Sequence, residues 1–343
     1  MIKELFSEDV LAAKDLIERN GLSFEDDYDV IVGLYEDENL IATGARAKNV
    51  LKMFVVDQAY QGELVLGGLT STLIANGRVA GYETLFVFTK AEYARNFKSL
   101  KFDMLANQGD IALLEYGQGL QRWLESNRPL VRQGINGAVV VNCNPFTNGH
   151  RHLIETAAKQ VDNLYIFVVR EDRSFFPFDV RIRLVKQGTA HLSNINVLDT
   201  SNYIVSAATF PTYFLKQNDS AALIQMDLDV ILFASQIAPF FDISQRFVGS
   251  EPKCDMTCSY NETMKRILPA YGIRLNITER IEAPQGVISA TSVREHLARL
   301  AKQDSDDLSE LENYVPATTM AFLVSEEGKK LREKLRHTDW FLN

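Results

Sequence analysis

Residues 139–155 read Val-Val-Val-Asn-Cys-Asn-Pro-Phe-Thr-Asn-Gly-His-Arg-His-Leu-Ile-Glu. Three residue types here can do phosphate chemistry. His150 can donate a ring N–H to a phosphoryl oxygen as charge builds there, and Thr147 can hydrogen-bond the same group. Gly149 has no Cβ, so a nucleotide can approach the backbone closely. These residues fall where an apolar run ends and a helical pattern begins. A helix N-terminus offers unpaired amides and a partial positive charge, which attract phosphate. Taken alone, Gly149-His150 also fits a capped helix with a surface histidine.

A second such place lies in residues 286–294, Gly-Val-Ile-Ser-Ala-Thr-Ser-Val-Arg. Ser289 or Thr291 can cap a helix. Val293, Leu297 and Leu300 then recur at i, i+4 and i+7 as a buried stripe. Arg294 falls in the first turn beside the open amides, a combination suited to the β- and γ-phosphates and to departing pyrophosphate. A capped helix with a solvated arginine fits the same residues. Arg181 opens another helical stretch, 180–191, after Phe175, Phe176 and Phe178. It can reach phosphate or cover Asp179.

The elements that must position these groups alternate. Residues 139–141 belong to a buried β-branched strand, 150–159 to a helix and 164–169 to the next strand, a βαβ unit with its ligand at the first strand's carboxyl end. Further strands are expected at 195–198 and 229–234, the latter leading into a helix. Residues 246–252 read as a buried strand and a turn at Gly249 on the same edge as the first motif. Alternating strands and helices argue for a parallel sheet covered on both faces. Residues 206–216, rich in small and hydroxyl side chains, fit either a ligand cover or plain packing.

The first third has a different order. Ser7 can cap a helix ended by Asn20-Gly21. Strands follow at 30–35, 40–45 and 50–56, then a helix to about residue 80, a strand at 84–89 and a short helix at 93–97. Residues 126–136 are polar, hold Pro129 and Gly134, and read as a linker. The expected division is 1–125, a linker at 126–136, and 137–343.

Several of these stretches resemble known families. Asn-Pro-Phe-Thr-Asn-Gly-His resembles the (H/T)xGH signature of the nucleotidyltransferase superfamily, in its threonine form. Ile-Ser-Ala-Thr-Ser-Val-Arg resembles the ISxTxxR signature of the same superfamily. The order of elements in 1–125 resembles the GNAT acetyltransferase fold. There Gln61 and Gly62 match the pyrophosphate loop, but Leu64 and Leu66 stand where small residues are expected. That departure argues against acetyl transfer by this domain and for a structural or carrier-binding role. Together with Phe-Pro-Phe at 176–178 and Arg-Phe-Val-Gly-Ser-Glu-Pro at 246–252, nearly the whole chain resembles the citrate lyase ligases.

The resemblance implies an α/β protein: a GNAT-like α+β domain followed by a Rossmann-like, parallel-sheet nucleotidyltransferase domain. It implies that ATP and acetate convert the thiol of the citrate lyase acyl carrier subunit into its acetyl thioester, releasing AMP and pyrophosphate. Thr147, His150 and Arg294 would be catalytic. Asn144, Pro145, Phe146, Gly149, Arg181, Gly249, Ile288, Ser289 and Thr291 would bind the nucleotide, with Mg2+ expected on the phosphates and no protein metal site. An adenylyltransferase acting on a phosphate monoester such as phosphopantetheine would carry the same nucleotide motifs. A non-catalytic acetyl-CoA and nucleotide sensor is a third reading.

Composition bounds the rest. The 343 residues suffice for about two domains. A net charge of -9 argues against a nucleic-acid or anionic-membrane surface. No apolar run approaching ~20 residues is evident, so no membrane span is expected. The first nine residues lack the basic-then-apolar order of a signal peptide. Three cysteines make no disulfide framework, and a reducing cytoplasm is the simple inference. Cys254 and Cys258 have no second pair with zinc spacing. His152, His191, His296 and His337 have no recognisable partners in sequence.

Overall fold

The computed structural model describes residues 1–60, 63–170, 174–201, 203, 221–250, 255–283, 286–303 and 305–336. Sequence features at Gln61, Gly62, Cys254 and His337, and in 171–173, 206–216 and 251–252, lie outside them. The described residues form two compact units, one from Met1–Asn127 and Val205–Gln236, the other from Arg128–Ile204 and Ile237–Asn343.

The first unit is built on a seven-stranded sheet. Its strands are β1 (Ile2–Glu4), β2 (Val30–Glu36), β3 (Asn39–Ala47), β4 (Val50–Val56), β5 (Leu85–Lys90), β6 (Phe102–Gln108) and β7 (Ile111–Tyr116), in the order β1-β2-β3-β4-β5-β7-β6. All neighbours are antiparallel except β4 and β5. That parallel ladder registers only Val50 with Phe86 and Leu51 with Val87, so the strands part beyond Leu51. Helices α1 (Glu8–Arg19), α2 (Glu63–Val79), α3 (Ala94–Ser99) and α4 (Gly119–Asn127) accompany the sheet. The core gathers Val30, Val32, Leu69, Leu73, Val87, Phe97 and Leu114. This is the GNAT-like α+β arrangement that the order of elements implied. Leu64 is 93% exposed, whereas Leu66 packs on the core.

Three details differ from expectation. Ser7 has φ 47 and makes no side-chain cap bond, so α1 starts on backbone turns rather than a hydroxyl cap. Residues 229–234 are not a strand: they end helix α7 (Ala221–Leu232) and enter a π-helical stretch, Phe233–Ile237. A short run apolar on every side carries no period to separate buried strand from buried helix. Helix α7 also departs from the expected division, because it packs on β6 in the first unit, where Asp227 accepts a hydrogen bond from Gln108 at 2.9 Å. Finally, Ala221–Phe240 is long and apolar enough to cross a membrane, contrary to the sequence reading, yet 61% of its most apolar window is buried inside the fold.

The second unit holds a five-stranded sheet of β8 (Asn136–Val141), β9 (Asn163–Val168), β10 (Ile195–Asp199), β11 (Ile243–Gly249) and β12 (Arg274–Thr278). The order is β10-β9-β8-β11-β12 and every pairing is parallel. The chain steps outward from β8 to β10, then returns to β8's other side for β11 and β12. The reversal lies between β8 and β11, and the crevice beyond the carboxyl ends at such a point is where ligands bind in open α/β sheets. Helices α5 (Asn148–Ala158), α6 (Phe178–Gly188), α8 (Ala238–Phe240), α9 (Asp255–Ile267), α10 (Ala290–Lys302), α11 (Ala317–Val324) and α12 (Glu326–Glu333) and the hairpin β13 (Glu282–Ala283) with β14 (Gly286–Val287) complete it. The core joins Val139, Ile154, Ile166, Leu184 and Phe247 to Val293, Leu297 and Leu323.

The expected linker also differs. Arg132 donates its backbone N–H to the Tyr165 hydroxyl at 2.9 Å, and that hydroxyl donates to Leu130 O at 3.0 Å. Asn136 is fully buried in β8 and donates to Arg132 O and Phe241 O. Residues 128–136 are therefore fastened to the second unit.

Candidate active site

The site is built at the first turn of α5. Thr147 is its N-cap, extended at φ -116 and ψ 168, and its hydroxyl accepts the His150 N–H. The His150 ring answers: Nδ1 lies 3.1 Å from the Thr147 backbone N and 2.9 Å from Thr147 Oγ1. A backbone N–H can only donate, so Nδ1 is an acceptor and the ring proton sits on Nε2. Burial, then the nearby charge of Arg280, pushes the ring's pKa down to about 4. His150 is therefore neutral at pH 7 and presents an Nε2–H donor rather than a cation.

The remaining amides of that turn are almost all used. Asn148 donates to Tyr314 O at 2.8 Å, and Arg151 bonds back to Thr147 O. Among the described residues Gly149 is the member of the turn whose amide has no protein acceptor. A Cβ built on Gly149 would stand 3.2 Å from Ile288 O, so the second motif lies directly against the first.

Helix α10 starts in the same way. Ser289 is its N-cap and accepts the Ser292 N–H at 3.0 Å. The amides of Ala290 and Thr291 have no protein acceptor among the described residues. Arg294 ties the two motifs together: Nη1 donates to Asn144 O at 2.7 Å and Nη2 to Thr291 Oγ1 at 3.1 Å. Ile288 is buried beneath.

The other nominated residues shape this place. The Asn144 side chain accepts the Phe176 N–H at 2.9 Å. The Asn144–Pro145 peptide is cis. Phe146 is fully buried and its ring lies nearly parallel to His150's, with centroids 6.1 Å apart. Arg181 is 0% exposed and donates to Phe176 O, Val169 O and both oxygens of Asn142. Its guanidinium thus ties the ends of β8 and β9 to the Phe176 turn; neither phosphate nor Asp179 is its neighbour in those bonds. Gly249 ends β11, and among the described residues nothing lies within 4 Å of where its Cβ would be. Cys143 is buried and its thiol is pushed upward by burial, so it is no nucleophile. His191 bonds Glu155 at 2.8 Å and His296 bonds Arg299 at 2.8 Å, both away from this turn.

Sequence reasoning missed four contributors. Thr319, fully buried, donates to Phe146 O at 2.9 Å. Asn313 and Tyr314 offer their carbonyls to Asn148. Arg280 donates to Ser250 O at 2.7 Å, and its charge adds to burial in lowering the His150 pKa. No spacing in the chain announces them.

The family model for the citrate lyase ligase C-terminal domain matches residues 136–323. The chain is 36% identical over 319 residues to [citrate [pro-3S]-lyase] ligase of Escherichia coli strain K12, covering 90% of this chain and 88% of that one. It is 34% identical over 316 residues to the Haemophilus influenzae protein of the same name, covering 90% and 92%. A shorter match, 43% identical over 60 residues, joins 17% of this chain to 37% of phosphopantetheine adenylyltransferase of Streptococcus gordonii. The long matches run through both units and both motifs, and the chain belongs to the citrate lyase ligase family.

Proposed function

We propose that this chain is an AMP-forming acid–thiol ligase that acetylates the prosthetic-group thiol of the citrate lyase acyl carrier subunit, in the cytoplasm. The observation that carries the reading is the meeting of two capped helix N-termini, Gly149 against Ile288 O and Arg294 on Asn144 O. Their open amides, the neutral His150 donor and Arg294 make one anion-binding place at the sheet's reversal point.

Acetate, with a pKa of roughly 4 to 5, is ionised at neutral pH and needs no general base. Its oxygen attacks the α-phosphorus of ATP, the bond from the α-phosphorus to the bridging oxygen breaks, and pyrophosphate leaves with acetyl-AMP remaining. His150 Nε2–H and the Gly149 amide stabilise the α-phosphoryl group as charge builds; the α10 amides, Thr291 and Arg294 hold the β- and γ-phosphates. The carrier thiol then loses its proton and attacks the acyl carbon, expelling AMP. Among the described residues no three His, Cys, Asp or Glu gather as a metal site. An Mg2+ would ride on the phosphates, keeping several of its waters and sharing their charge with these donors. The test is ATP–pyrophosphate exchange, which should require acetate.

The short match to phosphopantetheine adenylyltransferase favours a second reading, transfer of AMP to a phosphate monoester. Exchange that requires phosphopantetheine instead of acetate would select it.

A further inference from the structure

We propose that Arg280 is a further catalytic residue, set at the carboxyl ends of β11 and β12 to contact the phosphate chain of ATP where it is cleaved. The inference rests on the acid-activating reading above and adds a residue that neither signature contains.

Arg280 follows β12, whose carboxyl end lies beside that of β11. It is laced to that end by backbone geometry. Ser250 donates its N–H to Thr278 O at 2.8 Å. Arg280 returns its own N–H to Ser250 Oγ at 3.3 Å and its Nε to Ser250 O at 2.7 Å. The next residue, Ile281, accepts the Ile288 N–H, and Ile288 O is the atom that Gly149 abuts. Arg280 is thus held at the junction of the β11 end, the α5 first turn and the segment that caps α10. Its guanidinium is oriented through Nε, the arrangement that fixes an arginine fork in place.

The chemistry calls for such a cation. His150 stays neutral, so it can donate a hydrogen bond but cannot neutralise charge. Arg294, anchored on Asn144 and Thr291, serves the β- and γ-phosphates at the α10 side. In-line displacement at phosphorus loads negative charge on the equatorial and leaving oxygens, and fixed cations there stabilise the transition state. Arg280 approaches from the β11–β12 side, and its field already depresses the His150 ring.

The test compares wild type, R280K and R280Q as full-length chains. Acetate-dependent exchange is measured alongside ATP affinity by calorimetry and a proton-NMR titration of His150. R280Q should lose about 100-fold in exchange turnover, R280K should recover part of it, and the His150 pKa should rise in R280Q. R280Q within about threefold of wild type in exchange would overturn the role of Arg280 and leave the ligase reading standing. If wild type shows no acetate-dependent exchange, the ligase reading falls instead. ATP affinity then decides Arg280: a loss of about tenfold or more in R280Q supports phosphate contact, and unchanged affinity overturns it.

Discussion

The first turns of α5 and α10 are built alike and used differently. Each has an extended N-cap hydroxyl accepting the N–H three residues on. In α5 that third residue is His150, whose ring bonds back to the cap's own N–H, so the cap sets both tautomer and ring direction. In α10 it is Ser292, whose hydroxyl also lies 2.7 Å from Ser289 Oγ but which orients no ring. The proposed phosphate ligand there is Arg294, two residues further on, and it is anchored on the opposite motif. One cap orients a donor; the other leaves amides open and sends out a cross-link.

Substitutions can break this comparison. The largest effect is expected from H150A, which removes the Nε2–H donor. Exchange should fall by 10²–10³, about 3 kcal/mol, while circular dichroism stays unchanged. R294K keeps the charge but loses the fork that spans Asn144 O and Thr291 Oγ1, so exchange should fall about tenfold, with weakened ATP binding by calorimetry. T147V removes the cap and frees the ring together. Urea unfolding should show about 1–2 kcal/mol of lost stability, with turnover down about tenfold. S289A should cost about 1 kcal/mol of stability but far less turnover, because no ring depends on it. Equal kinetic losses in T147V and S289A would erase the distinction drawn between the two caps.

The smallest effect concerns pH. The His150 pKa lies near 4 in the folded chain against 6.5 ordinarily, so the unfolded state binds the extra proton between those values. Stability from this ring is full above about pH 6.5 and is lost as pH falls through about 4. Urea unfolding of wild type should therefore weaken more than that of H150Q between pH 7 and 4.5. Exchange should show no titration near pH 6.5; a clear inflection there would mean a ring that ionises in the working range.

Both signatures were legible because each packs its chemistry into about ten residues: hydroxyl and donor side chains at fixed offsets around a helix start, with a glycine in the first. The parallel sheet was legible from alternating apolar runs. Helix α7 was not, since Met226 to Leu232 is buried on all sides and the pattern has no period. Nor were β6, β7 and α4. Arg181 shows the limit at a single residue. Its position fitted a phosphate ligand, and its carbonyl partners emerged only when β8, β9 and the Phe176 turn came together.

The sequence by itself determined the two motifs at helix starts, the glycine in the first and the type of sheet that carries them. Tertiary structure alone decided that Arg294 reaches Asn144, that Tyr314 and Thr319 hold the first loop, and that Arg280 is held on Ser250 at the end of β11. The physical reason is that most of these long-range contacts end on backbone carbonyls. Any residue supplies a carbonyl, so side-chain identity holds no trace of the partner until the fold brings it within reach.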